Sequence, residues 1–286
     1  MIEARIDPLT GVEVVVVGGR QNRPNLPDGC PFCVGGLEAP EPYDVRWFVN
    51  RWPPLPDGRA EVLLFSPIHD QSLGALGAGG VRKVVDLWAE RTAAHAARDD
   101  AAYVLLFENR GSVVGATIDH PHGQLFTFDH VPEAALREID RDECVLCGVD
   151  RSGREVVTSA GWTAVVPYAP MWPYEVLVAP EAHLPDLPST SPDDRDALSS
   201  VLADVLARLD QLFDAPMPYM LWVHQRPTDG REWPAAHLHL HIAPVYRRAE
   251  SLRYVAAGEL GSGVWFNPII PEDAAETLRN LPGAGA

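Results

Sequence analysis

The chain has 286 residues, enough for one large domain or two ordinary ones and for a core that needs no covalent staples. Hydrophobic residues make up 46% and charged residues 22%, which excludes disorder as the whole answer. Basic residues number 23 against 40 acidic ones, a net charge of -17 that argues against a partner in nucleic acid or an anionic membrane surface.

Lys83 is the one lysine, so an anionic ligand has to be met by arginine forks or backbone N–H groups. The first residues, MIEARIDPLTG, lack the basic and apolar regions of a secretory signal, and no apolar run approaches the roughly 20 residues of a membrane span. The expectation is a soluble cytoplasmic protein. GGRQNRPN then places Arg20 and Arg23 just ahead of a cysteine pair, CPFC (Cys30, Cys33); in so acidic a chain they are candidate phosphate contacts. EVLLF has the β-favouring composition of a short strand and runs into SPIH, which ends on His69. VRKVVDLWAERTAAHAARD is helical in pattern, and YVLLFEN is a further strand. The strand leads into residues 107–117, where Gly111 and Gly115 make a candidate phosphate-cradling loop.

HPHGQ follows. In an extended chain alternate side chains share a face, so His120, His122 and Gln124 line up. An imidazole with one nitrogen bonded to a backbone carbonyl presents the other as a nucleophile, so a His122 beside an anchored His120 can attack phosphorus. Gln124 can donate an amide N–H to a phosphoryl oxygen but supplies no proton. FDHVPEAALREIDRD, acidic and without β pattern, reads as a linker. The second half brings CVLC (Cys144, Cys147), a strand at YEVLVA, and APEAH ending on His183. A helix is predicted from Ser191-Pro192-Asp193-Asp194, a cap with proline and acids in the first turn, with Leu198, Val201, Leu202, Val205, Leu209 and Leu212 at helical spacing. YMLWVH is the next strand, HLHLH carries His237, His239 and His241, and PEDAAETLRNLPGAGA reads as a helix with a frayed end.

The two halves repeat. His69 follows Cys33 by 36 residues and His183 follows Cys147 by 36; the next histidine clusters begin 51 and 54 residues later. Paired cysteines two residues apart with histidines at matching distances point to metal more than to redox chemistry. The expected tetrahedral zinc ligands are Cys30, Cys33, His69 and His120, a closed structural site, and by the repeat Cys144, Cys147, His183 and His237.

GRQNRP, CPFC, FENRG with GATIDHPHGQ, WVHQRP and HLHLH together resemble the galactose-1-phosphate uridylyltransferases of the histidine-triad superfamily, in order from about residue 13 to 280. The resemblance implies an α+β fold of tandem histidine-triad-like units, 1–135 and 136–286, with a mostly antiparallel sheet and helices packed on it. It implies a homodimer acting on a UDP-sugar and a sugar 1-phosphate, in a ping-pong exchange through a uridylyl group on His122. By position it assigns phosphates to Arg20 and Arg23, the nucleoside to Asn50, the α-phosphate to Asn109 and Thr117, and the transferring phosphoryl to Gln124. Arg253, Glu259 and Asn267 fall on the acceptor side, contributed to the partner subunit. Gly258 stands where relatives often have Tyr, and Trp265 where they often have Gln. Some relatives hold a second metal, iron, with three histidines and a carboxylate; the matching histidines are His224, His239 and His241. Alternative functions are a nucleotide hydrolase or phosphorylase of the same superfamily, a transferase with a different sugar 1-phosphate or nucleotide, and a metal-stapled interaction module without catalysis.

Overall fold

The computed structural model describes residues 2–18 and 29–284. A separate antiparallel ribbon comes first, β1 (Ile2–Ile6) paired with β2 (Glu13–Val17). The first half then supplies β3 (Arg46–Val49), β4 (Ala60–Leu64), helix α1 (Gly77–Ala96), β5 (Tyr103–Arg110) and β6 (His122–Phe128). Two short helices follow, α2 (Glu133–Ile139) and α3 (Val145–Gly148). The second half supplies β7 (Glu155–Ser159), β8 (Trp162–Val165), β9 (Val176–Pro180), helix α4 (Pro192–Gln211), β10 (Tyr219–His224) and β11 (His239–Pro244). A ribbon of β12 (Tyr246–Arg248) and β13 (Ser251–Leu252) and helices α5 (Ala257–Ser262) and α6 (Pro271–Arg279) end the chain.

β3 to β11 form one sheet in the order β3-β4-β6-β5-β10-β11-β9-β8-β7, every neighbour antiparallel. The order reads the same from both ends apart from the extra edge strand β7. Its centre is the β5–β10 pair, where Phe107 faces Trp222.

Side-chain alternation divides the sheet's two faces. One face lies under α1 and α4. Val81, Val84, Val85 and Trp88 of α1 and Leu198, Val201, Leu202, Val205 and Leu209 of α4 pack there on Leu63, Leu106, Leu125, Tyr219, Leu221 and Leu240. Each such side chain contributes about 1.5–3 kcal/mol on burial. The start of α4 carries the expected device: Ser191 and Asp194 form a reciprocal capping box with Pro192 in the first turn. The opposite face holds His122, Gln124, Asn109, Trp222, His224, His239 and His241 by strand parity. All the chemistry is therefore on the face without the long helices.

The segment read as a linker holds α2 instead, and the boundary expected at 135/136 falls inside this helix. Val131, Ala135 and Ile139, four residues apart, bury one stripe against Tyr103 and Ala236. Seven residues are too few for that periodicity to stand out among the surrounding acids. No helix of the described residues is long and apolar enough to cross a membrane.

Candidate active site and metal centres

The CPFC turn, the end of β4 and the entry to β6 converge in the first half. Cys30, Cys33, His69 and His120 bring one ligand atom each within 4.8 Å of one another. Cys33 Sγ lies 3.6 Å from His69 Nδ1 and 3.7 Å from His120 Nδ1. A tetrahedral ion with metal–sulfur bonds of about 2.3 Å and metal–nitrogen bonds of about 2.05 Å needs an S···N edge of about 3.6 Å. The donor set fits. Burial and the adjacent Cys30 push the Cys33 thiol up, a cost that a bound cation reverses. Burial also lowers His120, favouring the neutral imidazole a metal requires. His120 Nε2–H donates to the Ser66 carbonyl at 2.7 Å, and Nδ1 is left for the ion. The Tyr43 hydroxyl lies 2.9 Å from the same Nε2 and donates to the Phe32 carbonyl inside the CPFC turn at 2.7 Å.

That anchor passes directly to His122. Its Nδ1–H donates to the His120 carbonyl at 2.7 Å, a bond that assigns the tautomer and puts the ring lone pair on Nε2. Phe32 packs against the His122 ring at 5.1 Å between centroids. Gly123 is required between the two polar positions, because a Cβ there would meet Phe65 Cζ at 2.6 Å and the Phe107 carbonyl oxygen at 2.9 Å. Next on the strand, Gln124 accepts from Asn50 Nδ2 at 3.3 Å through Oε1, which turns its amide N–H group away from Asn50. A cleft of about 400 Å³ opens beside His122, lined also by Asn109, Arg110, Gly111, His69 and Asp119. Gly111 and Gly115 hold φ of 96° and 94°, so the glycines of the predicted loop supply left-handed backbone. Thr117 is exposed on that loop.

Arg20 and Arg23 lie outside the described residues. The three residues expected on the acceptor side have partners within this chain. Arg253 is buried between Trp172 and Trp265, 4.8 and 5.2 Å from the ring centroids, and pairs with Glu259. Glu259 also accepts from the Ala256 and Phe266 N–H groups. Asn267 Nδ2 donates to the Pro170 and Trp172 carbonyls at 3.1 and 3.0 Å.

The second half repeats the anchor. Cys144, Cys147, His183 and His237 gather with S···N distances of 3.3 Å from Cys144 to His237, 3.3 Å from Cys147 to His183 and 3.6 Å from Cys147 to His237. His237 Nε2–H donates to the Pro180 carbonyl at 3.0 Å, and burial pushes its ring down to about 4. His239 Nδ1–H then donates to the His237 carbonyl at 2.7 Å, the same bond at the same length as in the first half.

There the halves part. His239 joins His224, His241 and Glu138 in a third group of potential ligands. Phe107 pairs with Gln124 as Trp222 pairs with His241, and by that register, continued two residues, Asn109, His122 and Gln124 correspond to His224, His239 and His241 of the second half. Glu138 Oε2 lies 2.6 Å from His224 Nδ1 and 3.1 Å from His239 Nε2; Oε1 is 3.7 Å from His241 Nε2. Burial alone would raise the Glu138 carboxyl, but the three histidines around it, His224 foremost, hold it well below the usual carboxylate range. Both ring nitrogens of His241 are buried without a hydrogen-bond partner, and a cation among the four groups would satisfy the inward one. The cysteine set and the three-histidine set share no residue, so one does not displace the other. Sequence reasoning found the three histidines but missed Glu138, which α2 delivers from the supposed linker, and Tyr43.

A family model described as the N-terminal domain of galactose-1-phosphate uridyl transferase matches residues 53–132, and the C-terminal domain model matches residues 120–284. The galactose-1-phosphate uridylyltransferases of Thermotoga maritima and Streptomyces lividans are each 33% identical to the chain, with 98% of it covered and 98% and 87% of the relatives. An ADP-glucose phosphorylase of Arabidopsis thaliana is 25% identical, covering 98% of this chain and 93% of its own. A solved uridylyltransferase structure matches with a TM-score of 0.88 at 28% identity, over 98% of this chain and 97% of the other. With both domain models and relatives of this similarity spanning nearly all of it, the chain belongs to the galactose-1-phosphate uridylyltransferase family.

Proposed function

We propose that the chain moves a uridylyl group from UDP-glucose to galactose 1-phosphate in two half-reactions through His122. The observation that carries this reading is the 2.7 Å bond from His122 Nδ1 to the carbonyl of the metal-site residue His120. It engages Nδ1, so Nε2 is the ring nitrogen left for chemistry, on a strand whose same face also presents Gln124. In the first half-reaction Nε2 attacks the α-phosphorus; a P–N bond forms, the bond to the bridging oxygen breaks, and glucose 1-phosphate leaves with the electron pair. In the second, a phosphate oxygen of galactose 1-phosphate attacks, the P–N bond breaks and the neutral imidazole returns. Gln124 donates an N–H to a non-bridging oxygen, where charge builds in the transition state. Asn109 and Thr117 hold the α-phosphate, Asn50 the nucleoside, and Arg20 and Arg23 the phosphates. Arg253, Glu259 and Asn267 serve the acceptor side of a homodimer's neighbouring subunit.

Zinc in the Cys30–Cys33–His69–His120 and Cys144–Cys147–His183–His237 sets holds the two His-x-His strands in place, with no open position for substrate. The thiolate-free group of Glu138, His224, His239 and His241 suits a divalent ion of harder preference, iron(II) or zinc. Two halves of similar build, 1–135 and 136–286, account for the palindromic sheet, and reduced cysteines set among metal-ligand histidines fit a cytoplasmic enzyme.

Incubation with UDP-glucose and labelled glucose 1-phosphate tests the reading: label exchanges into UDP-glucose without a second sugar. UMP release in place of exchange assigns hydrolysis, and UDP formation on adding inorganic phosphate assigns phosphorolysis. An absence of all three removes catalysis from the proposal.

A further inference from the structure

His241 is held on three sides, and only two are explained by the site described above. Trp222 stacks on its ring at 4.7 Å with an 11° interplanar angle, and Nε2 faces Glu138. Its Nδ1 faces a different carboxylate, Glu175 Oε1, at 3.8 Å. Glu175 is buried, with 6% of its surface exposed. Its other oxygen, Oε2, accepts the backbone N–H groups of Met171 and Trp172 at 2.7 and 3.0 Å. The turn that provides them ends at Tyr174, whose φ of 55° is left-handed backbone that side chains seldom adopt. A carboxylate this buried, fixed by two amides and pointing its second oxygen at a buried unbonded ring nitrogen, is placed for one partner.

We propose that Glu175 is the positioning residue of the Glu138–His224–His239–His241 metal centre: it holds the His241 proton on Nδ1 and so keeps Nε2 as a metal ligand. This rests on the reading that the centre binds an ion. The neighbouring ligand His239 has its Nδ1 proton fixed by the His237 carbonyl; His241 has no such carbonyl partner, and Glu175 takes that role with a full charge. At 3.8 Å the Nδ1 to Oε1 separation is wider than a hydrogen bond, so the role would require the two groups to draw together when an ion is held.

The discriminating variant is Glu175→Gln. Its single amide oxygen is claimed by the Met171 and Trp172 N–H groups, which leaves the NH2 facing His241 Nδ1. That nitrogen must then accept, and the ring proton moves to Nε2, the ligand atom. Protein with zinc in both cysteine-containing centres is titrated with Co2+, which in a thiolate-free site gives ligand-field bands without a sulfur-to-cobalt charge-transfer band. The expected result is one such site in the unmodified protein and roughly 10–100-fold weaker Co2+ binding in Glu175→Gln, with zinc content unchanged. Equal Co2+ affinity in the two proteins overturns the role of Glu175 while leaving the metal centre standing. No Co2+ uptake by the unmodified protein overturns the metal centre and the role together. Should Glu175→Gln fail to fold, nitrogen-15 imidazole correlations of the unmodified zinc-loaded protein decide instead: a proton on His241 Nδ1 supports the proposal, and a proton on Nε2 overturns it.

Discussion

Tyr43→Phe isolates the link between the first cysteine-containing centre and the strand that carries His122. The hydroxyl touches three groups: it donates to the Phe32 carbonyl at 2.7 Å and lies 2.9 Å from His120 Nε2 and 3.0 Å from the Ser66 carbonyl. Burial pushes this hydroxyl up, so it stays protonated and remains a donor. Removing it deletes one bond of about 1 kcal/mol net and leaves the Phe32 carbonyl unpaired, which raises the cost to about 2 kcal/mol. Phe32 lies between the two cysteines of CPFC, and His120 keeps its own bond to Ser66. The loss therefore falls on the geometry of the ligand set. At tenfold per 1.4 kcal/mol, zinc affinity should drop roughly thirtyfold.

Competition between the protein and a chromogenic chelator reads that change directly. Turnover with zinc in excess should stay within a few-fold of the unmodified enzyme, because the His122 to His120 carbonyl bond needs no hydroxyl. An unchanged zinc affinity would refute the reasoning and leave Ser66 as the sole support of His120. Equal losses of affinity and of metal-saturated turnover would refute it too, by placing Tyr43 in the substrate cleft.

Among further expectations, UDP-glucose alone should leave a uridylyl adduct on the unmodified chain and on His239→Ala, and none on His122→Ala, by intact mass at neutral or mildly alkaline pH; the opposite pattern would make the second half catalytic. Glu61→Ala strands the buried His95 and the partly buried Arg91 that bond its carboxylate at 3.0 and 2.8 Å, and denaturant titration should show a loss of about 3 kcal/mol. Burial raises the Glu61 carboxyl, but His95 and Arg91 outweigh it and leave it lowered, so its contribution is present above the ordinary carboxylate range and fades as pH falls through the folded value. Glu108 behaves oppositely: burial pushes it up to about 7, so the fold loses stability as pH rises from the ordinary glutamate range to about 7, by roughly 3 kcal/mol. Glu108→Gln keeps an acceptor for the Tyr219 hydroxyl and should abolish that slope, which stability measured from pH 5 to pH 8 checks.

What the sequence disclosed was local or periodic. The Ser191 cap, the Leu198 to Leu209 stripe and the alternation of His120, His122 and Gln124 each depend on neighbours a few residues away, and each appears where expected. Equal spacing from CPFC to His69 and from CVLC to His183 made the two ligand sets legible despite their long-range closure, because two copies reinforce one another. Groups whose role arises only across the fold stayed hidden. Glu138 reaches the histidines over 86 residues of chain, and no residue beside it marks it among the acids of its segment. Tyr43 acts through carbonyls, which leave no trace in sequence. Arg253 and Glu259 were legible only through the resemblance, because the two tryptophans that flank Arg253 lie 81 residues before it and 12 after it, at no spacing that marks a pair.

The proposed roles would have one scaffold separate into two chemistries by few substitutions. In each half, a histidine belongs to a Cys2His2 group of potential ligands, and that residue's carbonyl accepts from the histidine two positions on. The orientation decides only where the second imidazole points. What it meets is decided by the two flanking positions: Asn109 and Gln124 in the first half, His224 and His241 in the second. Neutral amides carry N–H donors, which complement the oxygens of a phosphoryl group and, in the proposed reaction, would leave the imidazole to attack the phosphorus. Imidazoles in both places, with Glu138 added by α2, offer four converging lone-pair groups, which repel a phosphate and attract a cation. Restoring amides with His224→Asn and His241→Gln should therefore lower metal content by one ion per chain. It should not create a second nucleophile, because Glu138 remains 3.1 Å from His239 Nε2 and occupies the position a phosphoryl group would need. A second uridylyl adduct in that double variant, located on His239, would mean that the flanking residues alone decide the chemistry and that Glu138 is incidental.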